Sequence, residues 1–135
     1  MPQTRRHARL TRLLRITSLL QAAAILAQSV TAGLLLASVP VGRTSHSMLG
    51  GAVALTVVLN LFVAVLLWRP GGGSPRLAVK SAPLVVFTVV QMALGFARVR
   101  ELHVPLGVLM FGASIMLVME TRAEVPRPAR GGEPA

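Results

Sequence analysis

Several residue types that support catalysis or metal binding are missing from this chain. It has no cysteine in 135 residues, which excludes disulfides, thiolate zinc sites, iron–sulfur clusters and the Cys-x-x-Cys-His attachment of c-type haem. It has no aspartate either, and its four acidic residues, all glutamates, lie at or beyond the ends of the apolar runs. A carboxylate-rich metal site or a carboxylate proton relay through a membrane is therefore not expected.

Charged and aromatic residues are also scarce. Charged residues make up 13% of the chain and hydrophobic residues 53%, which is typical of a membrane protein. The net charge of +10 would suit nucleic acid, but the basic residues flank the apolar runs and aromatics make up only 4%. Such a chain offers no aromatic platform for bases. The expected partner is therefore a lipid bilayer, with no nucleic acid.

Four long uncharged runs predict four membrane-crossing helices. The predicted fold class is an all-α, integral membrane four-helix bundle with up-down-up-down topology. The predicted helices are residues 16–39, 48–68, 81–97 and 102–119, within one domain of residues 16–120. A basic arm, residues 1–15, is predicted to lie on the membrane surface, and a tail, residues 121–135, is predicted to be disordered.

The basic residues are distributed unevenly between the two sides of the predicted bundle. Eleven of the fourteen lie in the arm, the second connection and the tail, and three lie in the first and third connections. The positive-inside rule then places both termini in the cytoplasm. Arginine and alanine usage points to a GC-rich bacterial genome, so the predicted location is the bacterial inner membrane.

Two His-x-x-x-Gly units carry the distinctive chemistry of this sequence. His46 and Gly50 open the second apolar run, and His103 and Gly107 open the fourth. Helices two and four run in the same direction in the predicted topology, so both imidazoles start at a similar depth. Two neutral imidazoles can hold one haem iron, and a glycine one turn later leaves room for the porphyrin. Basic residues at the same edge are suited to its propionates: Arg43, Arg98 and Arg100.

The two histidines also admit a simpler interpretation. Both lie at helix ends, where a histidine is often a solvated interfacial residue, and glycine is common in membrane helices. The alternative prediction is therefore a cofactor-free structural or accessory four-helix membrane protein. A small multidrug-type transporter is disfavoured, because proton coupling needs a membrane-embedded acid and no apolar run contains one.

Two short segments resemble a known family. Residues 91–95, QMALG, and 102–107, LHVPLG, resemble the second hairpin of one half of a haem A synthase, with His46 in the place of the partner ligand. The resemblance implies a four-helix unit in which histidines heading helices two and four ligate one haem. The family's enzymes have two such units, and an acidic residue three positions before the helix-two histidine, where this chain has Arg43. The resemblance thus implies haem binding more than haem A synthesis.

Residues and resemblance together predict an integral membrane protein that binds one b-type haem between helices two and four. The predicted iron ligands are His46 and His103, and the predicted role is electron transfer or haem handling rather than catalysis. A quinone or a redox protein is the expected electron partner. The half-size unit leaves homodimerisation as an open alternative.

Overall fold

The protein is described by a computed structural model that covers residues 2–123. These residues form four α-helices, with no strand among them. The helices are α1 (Pro2–Leu36), α2 (Gly42–Trp68), α3 (Arg76–Phe96) and α4 (Arg100–Ala123). Each is long and apolar enough to cross a membrane. The predicted all-α class and the four candidate membrane spans are therefore confirmed.

The helices pack as a ring in which α1 and α3 each contact both α2 and α4. Neighbours run antiparallel: Gln28, late in α1, meets His46, early in α2, whereas Ser18 meets Asn60 further along both helices. α3 and α4 are antiparallel too: Gln91, late in α3, meets His103, early in α4, and Lys80, early in α3, meets Glu120, late in α4. The α1–α2 and α3–α4 connections therefore share one end of the bundle, called here the histidine end. The opposite end, which holds Arg15 and the α2–α3 connection, is called the arginine end.

In the structure the basic arm and the first apolar run form one continuous helix. α1 is one helix from Pro2 to Leu36, and Leu10 and Leu14 of the predicted arm belong to the buried core. His7 also contacts the backbone carbonyl oxygen of Gly71 in the α2–α3 connection. Arginine is a good helix former, so the basic segment continues the helix past the end of its apolar run.

The other helices also extend beyond their apolar runs. α2 begins at Gly42 rather than residue 48, α3 begins at Arg76 rather than residue 81, and α4 runs from Arg100 to Ala123. The polar residues before 48 continue the backbone hydrogen bonding of α2, which hydropathy does not reveal. Residues 121–123 of the predicted tail thus belong to α4, and residues 124–135 lie outside the described part of the chain.

The outer surface of the bundle is apolar. Large hydrophobic side chains are exposed on all four helices, and examples are Leu20 (54%), Phe62 (57%), Val89 (63%) and Met116 (62%). A soluble monomer rarely leaves so much apolar surface open to water. This surface fits the hydrocarbon of a bilayer, in keeping with a multi-pass membrane protein.

A layer of hydrogen-bonded polar side chains crosses the middle of the bundle. The fully buried Asn60 donates to Ser18 Oγ over 2.8 Å and accepts from Ser81 Oγ over 3.0 Å. Gln21 Nε2 donates to Ser114 Oγ over 2.8 Å. The two contacts of Asn60 join α2 to α1 and to α3, and the contact of Gln21 joins α1 to α4. Hydrogen bonds of this kind hold membrane helices together in register.

The buried apolar core stops short of the histidine end. Among the described residues, its last members toward that end are one per helix: Ile25, Val53, Leu84 and Met110. Beyond this level the buried or partly buried side chains between the helices include the polar residues Gln28, Thr31, His46, Thr88, Gln91 and His103. Partly buried leucines lie at the same level: Leu34, Leu49, Leu94 and Leu106. The histidine end is therefore a compartment of mixed polar and apolar side chains above the fully buried core.

The two hairpins at the histidine end turn in the same way. α1 and α3 are each followed by a residue with positive φ, Ser38 and Arg98, both at 58°. The next amide then bonds back to a helix carbonyl, from Val39 to Leu34 and from Val99 to Leu94, each over 3.0 Å. This is the Schellman pattern of helix termination. Two equal turns bring the starts of α2 and α4 to the same end of the bundle.

Candidate functional site

His46 and His103 meet across the bundle. They lie near the starts of α2 and α4, two helices that occupy diagonal positions in the ring. Their ring centroids are 6.0 Å apart, with an angle of 62° between the ring planes. Both side chains are partly buried. The structure thus brings together the two histidines that the sequence singled out.

The tautomer of His103 follows from its partner. Its Nδ1 lies 3.0 Å from the backbone carbonyl oxygen of Gln91 in α3. A carbonyl oxygen can only accept, so Nδ1 carries the hydrogen, and in the neutral ring Nε2 keeps its lone pair. Metal-bound histidines usually donate their second ring nitrogen to a carbonyl or carboxylate in this way.

His46 is held by two side chains of α1. Its Nε2 lies 3.3 Å from the amide nitrogen of Gln28, and its Nδ1 lies 3.3 Å from Thr31 Oγ1. With the Gln28 amide in this orientation, its nitrogen donates to Nε2, and Nδ1 carries the hydrogen. Thr31 can accept from Nδ1 while its own hydroxyl donates to the Gln28 carbonyl over 3.0 Å. Both histidines therefore present an unprotonated Nε2.

The space that Gly50 and Gly107 leave is filled by glutamine side chains. A Cβ on Gly50 would lie 3.3 Å from Gln28 Nε2, and a Cβ on Gly107 would lie 3.0 Å from Gln91 Nε2. The amide oxygens of both glutamines are buried and have no hydrogen-bond partner among the described residues. A buried carbonyl without a donor is unfavourable, so both amides are poorly satisfied where they lie.

Two imidazoles are enough only for a metal that brings other ligands of its own. The rings of His46 and His103 meet edge to face, with centroids 6.0 Å apart. The described residues contain no group of three or more His, Cys, Asp or Glu that could hold a bare ion. A haem iron needs only two protein ligands, but a porphyrin would require the Gln28 and Gln91 side chains to turn away.

The three arginines named from the sequence are all exposed near the histidine end. Arg43 lies in the first turn of α2, Arg98 in the α3–α4 connection, and Arg100 at the start of α4. The ion pair found within residues 2–123 joins Lys80 to Glu120. None of the three arginines therefore has an acidic partner in that part of the chain. They are free to meet an anion at this edge of the bundle.

Sequence reasoning missed the glutamine and threonine contacts of the site. Gln28 and Thr31 are three residues apart, so they share a face of α1. Thr31 lies about as far before the first connection as His46 lies after it, and Gln28 lies about one turn further away. Counting outward from each connection would have placed Thr31 near His46 and Gln91 near His103. What the count does not give is the rotation of each helix about its axis.

No family model, curated protein or solved structure matches this chain. The function is therefore argued from the residues of the site and their geometry.

Proposed function

We propose that this chain is an integral membrane protein that holds one b-type haem between α2 and α4, for electron transfer or haem handling. His46 and His103 would hold its iron. The supporting observation is their 6.0 Å centroid separation across the bundle, with Nδ1 of each ring already engaged by a neighbouring helix. Two protein ligands suffice, because the porphyrin supplies the others.

The compartment at the histidine end supports this proposal energetically. The fully buried apolar core ends below it, so a cofactor there would leave that core in place. The side chains that must move, Gln28 and Gln91, each leave a buried amide oxygen unpaired in their present positions. Moving them removes that unfavourable burial, which offsets part of the cost of opening the compartment.

The other residues have distinct roles in this proposal. Thr31 and the Gln91 carbonyl orient the two imidazoles. Gly50 and Gly107 leave space beside the ligands once the glutamines turn away. Propionate carboxylates are met by the exposed arginines at the same end: Arg43, Arg98 and Arg100. When bound, the haem supplies one-electron redox chemistry.

The proposal also includes an orientation and a partner. The distribution of basic residues supports an orientation with both termini on the cytoplasmic side of a bacterial inner membrane, in which the histidine end would lie on the outer side. A quinone or a redox protein would exchange electrons there, and a second copy of the chain is a further candidate partner. The resemblance to one half of a haem A synthase supports the same ligand assignment.

A cofactor-free accessory protein is the second candidate. The observation that favours it is the present position of Gln28 and Gln91, which already fill the space at Gly50 and Gly107. The Gln28 amide also hydrogen-bonds His46 Nε2. In this case the two histidines only link α1 to α2 and α3 to α4.

A visible spectrum distinguishes the two candidates. The full chain, purified in mild detergent from haem-sufficient cells, should show a six-coordinate low-spin spectrum with sharp bands on reduction. His46→Ala and His103→Ala should each abolish it, because one axial position is lost. His7→Ala is the matched control, since His7 contacts Gly71 at the arginine end. A folded, colourless protein that takes up no haem on titration would contradict the proposal and favour the accessory role.

A further inference from the structure

A groove of about 380 Å³ lies between α1 and α4 at the arginine end, far from the two histidines. It is lined by two arginines, two apolar residues and a threonine: Arg15, Leu19, Val118, Thr121 and Arg122. The histidine site uses none of these residues.

One wall of the groove carries a fixed cation. Arg15 Nε donates to the Thr121 carbonyl oxygen over 3.1 Å, and its Nη2 donates to the Arg122 carbonyl oxygen over 3.4 Å. These acceptors lie near the end of α4 as described, at residues 121 and 122. The guanidinium is thereby positioned at the groove before any ligand arrives, which lowers the entropic cost of binding an anion.

Within residues 2–123, the groove is lined by no acidic side chain. Arg122 is exposed on α4, and Arg12, one turn before Arg15, is exposed on α1. Glu120 is the described acid at this end, and it is paired with Lys80 on α3. The groove between α1 and α4 therefore carries net positive charge among the described residues.

Below the arginines the groove becomes apolar. Val118 is buried at its base, and Leu19 is 46% exposed beside it. Leu19 lies one turn further along α1 than Arg15, toward the membrane interior. A cationic rim above an apolar wall matches a phospholipid, which has a phosphate above its hydrocarbon chains. Free phosphate would make no use of the apolar wall.

We propose that this groove binds an anionic phospholipid, with its headgroup phosphate at Arg15 and Arg122 and one acyl chain along Leu19. Basic pockets between membrane helices are suited to anionic headgroups. A bound lipid would cover the seam between α1 and α4 and hold their ends together.

Native mass spectrometry of the full chain in mild detergent tests this proposal, with phosphatidylglycerol and phosphatidylcholine as probes. The protein should retain phosphatidylglycerol preferentially. Arg122→Gln should weaken its retention roughly fivefold, as expected for one arginine near a lipid phosphate. Arg76→Gln is the matched control, because Arg76 is exposed at the same end on α3 and outside the groove. Arg15→Lys, which keeps the charge, should weaken retention less than Arg15→Gln.

A second comparison separates a lipid from a free phosphate. Leu19→Gln should weaken retention of phosphatidylglycerol but leave the binding of soluble glycerol phosphate unchanged. Equal retention of both lipids by the unmodified protein, or an equal loss in Arg76→Gln and Arg122→Gln, would overturn the proposal. Binding of inorganic phosphate as tightly as phosphatidylglycerol would overturn the lipid assignment.

Discussion

The imidazole of His103 donates from Nδ1 to the backbone carbonyl oxygen of Gln91, 3.0 Å away on the neighbouring helix. The ring comes this close to α3 because Gly95 lies beside it. A Cβ on Gly95 would be 3.3 Å from Cε1 of the imidazole and 3.6 Å from its Nδ1. The contact therefore depends on the absence of a side chain one turn along α3, and it fixes the direction in which Nε2 can face a ligand.

Enlarging Gly95 should displace His103. Gly95→Leu places a branched side chain where the imidazole lies, so the ring must leave the Gln91 carbonyl. We expect much lower haem content, measured by absorbance per protein, in a chain that still inserts. Gly112→Leu is the matched control, because a Cβ on Gly112 has nothing within 4 Å. Equal haem content in the two variants would show that the Gly95 contact does not position a ligand.

Thr31 should affect His46 in a parallel way. Thr31→Val keeps the shape of the side chain but removes the acceptor of the His46 Nδ1 hydrogen. Removing the hydrogen-bond partner of a metal-bound histidine typically weakens metal binding by about tenfold or more. We therefore expect roughly tenfold weaker haem binding on titration, with a shifted reduction potential. Ser29→Ala is the control, since its hydroxyl bonds to the Ile25 carbonyl of its own helix. A Thr31→Val protein that matches this control would contradict the assigned tautomer.

The class of the fold followed from hydropathy, and the ends of the helices did not. The four apolar runs are the parts of the chain that can face lipid, so they predict the number of helices well. A helix that continues into polar or basic residues, as α2 does from Gly42 and α1 does from Pro2, leaves no hydropathy signal. His46 consequently lies inside α2 rather than in the predicted connection before it.

The candidate site was partly predictable for a related reason. Antiparallel packing places the starts of α2 and α4 at one end, so a shared depth for His46 and His103 follows from connectivity. Their contact with Gln28 and Gln91 depends on how each helix is rotated about its axis. In a soluble bundle the apolar stripe gives that rotation, but a membrane helix is apolar toward lipid as well as toward the core. The pattern therefore leaves the rotation undetermined.

Asn60 should be the most sensitive polar residue for stability. Asn60→Ala removes the donor to Ser18 and the acceptor from Ser81, which leaves buried hydroxyl groups with fewer partners. We expect a loss of about 1 kcal/mol or more in unfolding free energy, measured by denaturation in detergent. Thr56→Val is the control, because Thr56, one turn earlier on α2, bonds carbonyl oxygens of its own helix. Equal effects would show that the buried layer does not stabilise the bundle.

Glycine should stabilise the turn after α1. Ser38 has a φ of 58°, a region where a side chain is strained and glycine is not. Ser38→Gly should raise the unfolding free energy by roughly 0.5–1 kcal/mol, seen as a higher melting temperature in detergent. Ser45→Gly lies within α2, where glycine weakens a helix, and should lower it. If both variants lower the melting temperature alike, the positive φ at Ser38 is not a source of strain.

The orientation of the bundle is testable with reporters in its two kinds of connection. Of the twelve basic residues within residues 2–123, nine lie on the side of the α2–α3 connection, so this side should remain in the cytoplasm. A reporter that is active only in the cytoplasm should work when inserted within residues 71–74 and fail when inserted within residues 37–41. A periplasm-specific reporter should give the opposite result at both positions. If residues 71–74 prove periplasmic, then His46 and His103 lie at the cytoplasmic end, and the electron partner of the proposed haem must be a cytoplasmic one.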